Sequence, residues 1–135
     1  MIMLYFSGTG NSKYIAELFS KNMNAACFSI EDDYDFTALL ASEEIIGFCY
    51  PIYGSRVPRI MREFIFAYTD SLKGKKLLIF CTQMYFSGDG ARAFTDILPR
   101  GQAEIIYAEH FLMPNNPYLP YTVVPTNNEK GDKVY

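Results

Sequence analysis

The sequence predicts a doubly wound α/β sandwich, with helices on both faces of a five-stranded parallel sheet of order 2-1-3-4-5. Three observations predict it. Short apolar runs alternate with amphipathic helical patterns. The runs are continuous rather than alternating, as strands covered on both faces must be. The 135 residues suffice for one domain with one core, the size at which right-handed crossovers give that order.

The elements follow in sequence. Residues 2–6 ("IMLYF") form the first strand, and residues 13–22 a helix with Tyr14, Ile15, Leu18 and Phe19 on one face. A weaker strand at 25–30 precedes a short helix at 36–41, with Glu31, Asp32, Asp33 and Asp35 as an acidic turn that caps it. A strand at 45–50 leads into a Pro/Gly loop. In the next helix Pro58 sits in the first turn and Val57, Ile60, Met61, Phe64 and Tyr68 repeat at helical spacing. Residues 77–81 form the fourth strand, 91–98 a helix with Phe94, Ile97 and Leu98 inward, and 103–107 the fifth strand.

Composition excludes several classes. Half the residues are hydrophobic and 20% are charged, which fits a globular chain rather than a disordered one. A formal charge of −3 and a pI near 5.1 argue against a nucleic-acid surface. Neither a membrane-length apolar run nor a cationic secretory start is present, so a cytoplasmic domain is expected. Cys27, Cys49 and Cys81 are odd in number and include no CxxC pair, so buried thiols are expected rather than a metal site or disulfides. His110 falls after the fifth strand and is expected to be a surface or packing residue.

In such a sheet, ligands bind outside the carboxyl ends of the strands, where strand order reverses. Three loops converge there: residues 7–12, 51–57 and 82–90. The first carries the hydroxyls of Ser7, Thr9 and Ser12, the amide of Asn11, and Gly8 and Gly10. Glycine removes the Cβ that would block an anion from the backbone N–H groups, and a helix N-terminus follows. Lys13, the one cation nearby, falls on a solvent-facing helix position. The alternatives are a monophosphate cradle and an ordinary strand-to-helix turn. A P-loop would need GxxxxGK[ST], a dinucleotide fingerprint G-x-G-x-x-G, and a phosphatase loop a cysteine; none of these fits.

The second loop places Pro51, Ile52, Tyr53 and Gly54 where an aromatic can stack on a flat heterocycle beside a peptide that flips easily. The third couples Thr82, Gln83 and Met84 with Tyr85, Phe86 and Gly88; its polar side chains are candidates to hydrogen-bond a ring edge. Asp89 is expected only to make a turn. No acid–base constellation stands out.

The motif "SGTGNS" at residues 7–12 resembles the flavodoxin phosphate signature T/S-x-T-G-x-T/S. With "PIYGSRVPRIMREFI" from Pro51 and "MPNN" from Met113, the chain is most similar to the flavodoxin half of bacterial flavodoxin–ferredoxin fusion proteins, from its first residue to about Pro125. This resemblance implies a flavodoxin-like fold and FMN as cofactor. The phosphate would rest on Ser7, Thr9, Gly10, Asn11 and Ser12, and the ring between the second and third loops. Tyr53 and either Tyr85 or Phe86 would flank the flavin. A carbonyl near Tyr53–Gly54 would accept from reduced N5. If Arg56 turned inward, its charge would make the reduced flavin easier to form; its alternative role is a solvated residue before a helix.

The function expected is electron transfer between protein partners, ferredoxin-like or iron–sulfur proteins among them. An FMN-dependent oxidoreductase acting on a quinone, a porphyrinogen or NAD(P)H is the enzymatic alternative, and a non-redox phosphate-binding module the third. The ferredoxin cysteine segment of the fusion proteins is absent from these residues. "TNNE" at 126–129 has the form of a capping box, so the chain reads as a fragment ending as a fifth helix begins. Without that helix, an apolar patch near the first and third strands would favour a homodimer.

Overall fold

The computed structural model describes residues 1–8, 10–52, 56–83 and 93–112. Within them lie β1 (Ile2–Tyr5), α1 (Asn11–Met23), β2 (Ala26–Ser29), α2 (Phe36–Ala41), β3 (Ile45–Pro51), α3 (Arg59–Ala67), β4 (Lys76–Gln83) and β5 (Glu104–Leu112). Short 3-10 turns occupy Asp70–Leu72 and Phe94–Asp96. The strands form one parallel sheet of order β2-β1-β3-β4-β5, as expected.

Successive side chains of a strand point to opposite faces, and each face here has its own core. On one face Ile2, Leu4, Ile46, Phe48, Tyr50, Leu77, Ile79 and Cys81 pack with Phe36 and Leu40 of α2 and Met61 and Ile65 of α3. On the other, Met3, Cys49, Leu78 and Phe80 pack with Ile15 and Ala16 of α1. The apolar runs are continuous because both faces are covered.

Helix ends follow local chemistry. Asp35 caps α2, its carboxylate accepting from the Ala38 N–H at 3.1 Å. Asn24 ends α1 at φ 55, a left-handed conformation that asparagine tolerates.

Several expected positions are corrected. Tyr14 is 59% exposed, and the inward face of α1 is Ser12, Ile15, Ala16 and Ser20. Tyr14 and Ile15 are consecutive, about 100° apart around the axis, so burying Ile15 turns Tyr14 outward. On α3, Ile60 is exposed and Ile65 takes the core position beside Met61. Of the helix expected at 91–98, Ala93 is α-helical and Phe94–Asp96 a 3-10 turn, with Phe94, Ile97 and Leu98 packed on the core as expected. β4 reaches two residues past its apolar run, because ladder hydrogen bonds do not depend on side-chain polarity. β5 continues to Leu112 and contains His110, whose register partner is Cys81. It is an edge strand with one neighbour, so its side chains need not be uniformly apolar. A bulge against Leu77 and Leu78 leaves Ile106 without a register partner. Cys49 and Cys81 are buried, but Cys27 is only half-buried.

Among the described residues no helix is long and apolar enough to cross a membrane, and no group of three or more His, Cys, Asp or Glu is placed to hold a metal ion. The "TNNE" segment and the fifth helix it would open lie outside the described residues.

Candidate functional site

Strand order reverses between β1 and β3, and the carboxyl ends of β1, β3 and β4 share one edge. Ser7, Gly8, Gly10, Asn11 and Ser12 follow β1 directly. The Gly10 N–H donates to Ser7 Oγ at 3.0 Å, folding the loop on itself. A hydroxyl has one hydrogen and two lone pairs, so Ser7, accepting here, keeps its own O–H for a ligand. Gly10 has φ 104, a conformation L side chains rarely adopt, and a Cβ there would project into space with no atom within 4 Å.

The turn delivers the chain into α1, whose 13 residues make a substantial dipole. Its N-cap residue is Gly10, which has no side chain to cap it, and its first turn holds no acidic residue. The Gly10 carbonyl accepts from the Tyr14 N–H at 2.9 Å, so regular helix bonding starts there. The first N–H groups of any helix have no acceptor within it and take theirs from outside. A helix N-terminus entered through glycine and a loop hydroxyl with a hydrogen to give fit a phosphate group.

Ser12 sits deeper. It is 1% exposed, and its hydroxyl lies 2.8 Å from that of Thr82, itself 3% exposed, on β4. Cys49 Sγ donates to the Ser12 carbonyl at 3.3 Å. Burial, foremost, pushes the Cys49 thiol well above its ordinary range, which keeps it a neutral donor. Neither contact was foreseen from the sequence, where Cys49 reads only as a core residue and Thr82 as a ring-edge donor.

Around the other loops, Pro51 closes β3 and Ile52 donates its N–H to the Thr82 carbonyl at 3.0 Å. Gln83 ends β4, and its amide oxygen is buried without a hydrogen-bond partner among the described residues. An orphaned acceptor at this edge fits a ligand that carries a donor. Arg56 is exposed, as its solvated role requires, and Lys13 is exposed too. Thr9, Tyr53, Gly54, Met84, Tyr85, Phe86 and Gly88 lie outside the described residues.

Comparison with protein families finds a match to the flavodoxin domain over residues 2–116. Among solved structures, two-electron reduced flavodoxin of Megasphaera elsdenii is 27% identical, covering 86% of this chain and 90% of that one, with a TM-score of 0.67. A flavodoxin, WrbA-like protein of Agrobacterium tumefaciens matches at 17% identity over 80% and 81%, with a TM-score of 0.67. A flavoprotein of Lactobacillus acidophilus in complex with FMN matches at 11% identity over 81% and 91%, with a TM-score of 0.65. The last two speak to the fold alone. No curated protein matches significantly.

Proposed function

This chain belongs to the flavodoxin domain family, and from that premise we propose that it binds FMN and carries electrons between protein partners. The observation that carries the reading is the N-terminus of α1, entered through Ser7 and Gly10 at the point where strand order reverses. Its donors suit a phosphate held by neutral groups.

Ser7, Thr9, Gly10, Asn11 and Ser12 would hold the phosphate. The loops after β3 and β4 would enclose the ring, with Tyr53 and either Tyr85 or Phe86 against its faces and Gln83 at its edge. FMN, when bound, supplies the electron transfer, and the protein supplies binding and tunes the potential. The three loops would exclude water from the ring and leave its rim open to a partner. An iron–sulfur protein is the partner we propose, from the similarity to the flavodoxin half of flavodoxin–ferredoxin fusions.

Two measurements test this. The protein should be yellow as purified or take up added FMN; a colourless chain that binds none refutes the redox reading. Reduced protein should pass electrons to a ferredoxin-like acceptor, with negligible steady-state turnover of NADPH or quinones. Substantial turnover of either would make it a substrate-specific oxidoreductase instead.

A further inference from the structure

Thr82 touches more of the proposed site than its place at the end of a strand suggests. Its hydroxyl meets Ser12 of the first loop at 2.8 Å, across 70 positions of sequence. Its carbonyl accepts from Ile52, where the second loop begins. Gln83, the next residue, leads into the third loop.

Both hydroxyls are almost wholly buried, Ser12 at 1% and Thr82 at 3% exposed. A buried hydroxyl without a partner is unfavourable, so the pair stays bonded to each other. Either oxygen is able to donate, and each has one hydrogen. When Ser12 gives its hydrogen to an anion at the α1 N-terminus, only a proton from Thr82 keeps the pair bonded.

On the reading that this site takes FMN, we propose that Thr82 is a positioning residue for the phosphate. Its hydroxyl donates to Ser12, directs the Ser12 proton toward the phosphate, and ties the first turn of α1 to β4. The hydroxyl of Thr82 thereby serves the phosphate rather than the ring edge.

The test titrates FMN and riboflavin, which lacks the phosphate, into the full chain stripped of flavin, following quenching of flavin fluorescence. Thr82→Val keeps the shape and removes the hydroxyl. It should weaken FMN by up to about tenfold, the upper scale of one hydrogen bond between neutral groups, and riboflavin less than about twofold. Thr82→Ser should restore FMN binding to within about twofold of the natural chain. In a Ser12→Ala background, Thr82→Val should have little further effect, because it acts through Ser12. Thr82→Ala removes the same hydroxyl with a different shape and must shift the FMN-to-riboflavin ratio in the same direction. Equal weakening of both flavins, unchanged FMN binding, or full additivity with Ser12→Ala overturns the inference while FMN binding by the natural chain stands. A natural chain that binds no FMN overturns the inference and the reading beneath it together.

Discussion

The Cys49 thiol donates to the Ser12 carbonyl at 3.3 Å, joining the centre of the sheet to the first turn of α1. On the opposite face Tyr50 and Cys81 are register partners, and burial pushes the Cys81 thiol from 9.0 up to about 12. Both thiols are therefore neutral in the native protein and ionise more easily once unfolded.

Stability should fall with alkali. Below the unfolded thiol pKa of 9.0 both states hold their protons and the stability is intact. Above it the unfolded chain releases protons that the folded chain keeps, so stability drops as pH climbs toward the folded value. Each such thiol contributes a slope approaching about 1.4 kcal/mol per pH unit. Urea unfolding between pH 8 and 10 should show this decline, and Cys81→Ala should make it shallower by one thiol's share.

Gly10→Ala should be costly in two ways. A side chain at φ 104 is strained, by about 1–2 kcal/mol, and the same change distorts the entry to α1. Gly74, at φ 78, lies just before β4, at the opposite edge of the sheet. Gly74→Ala should lower the urea midpoint comparably and leave FMN affinity unchanged, whereas Gly10→Ala should lower both.

Met3 and Gly47 are register partners on β1 and β3. A Cβ on Gly47 would lie 2.6 Å from Met3 Cε and 2.9 Å from its Sδ. Gly47→Ala should cost about 1–3 kcal/mol by overpacking, and Met3→Ala about 2–5 kcal/mol through the cavity it leaves. The double variant should be more stable than the sum predicts, since each change relieves the other. Strict additivity in denaturation midpoints would contradict this packing.

Asp35→Ala should destabilise the protein by about 1 kcal/mol through loss of the α2 cap. Asp35→Asn and Asp35→Ser should recover most of it, which thermal unfolding of the three variants would show.

Much of the architecture was legible in one dimension. The continuous apolar runs of β1, β3 and β4 announce strands buried on both faces, and the Gly/Ser stretch between β1 and α1 announces a helix entered through an open loop. These signals are local, so composition and period carry them. Edge strand β5 was harder to read, because a strand with one neighbour keeps exposed residues such as Tyr107 and Glu104. On α1, Ile15 and Phe19 face the core as their spacing predicts, but Tyr14 does not, because Ser12 and Ser20 take inward positions that hydrophobicity assigns elsewhere.

The sequence by itself determined the succession of strands and helices, the parallel sheet and the region where a phosphate would bind. Only the tertiary structure decided what holds that region in place. Ser12 meets Thr82, and Cys49 meets the Ser12 carbonyl, because β3 and β4 pair in register and α1 crosses back over them. No spacing along the chain encodes a contact across 70 residues; the packing of the sheet creates it.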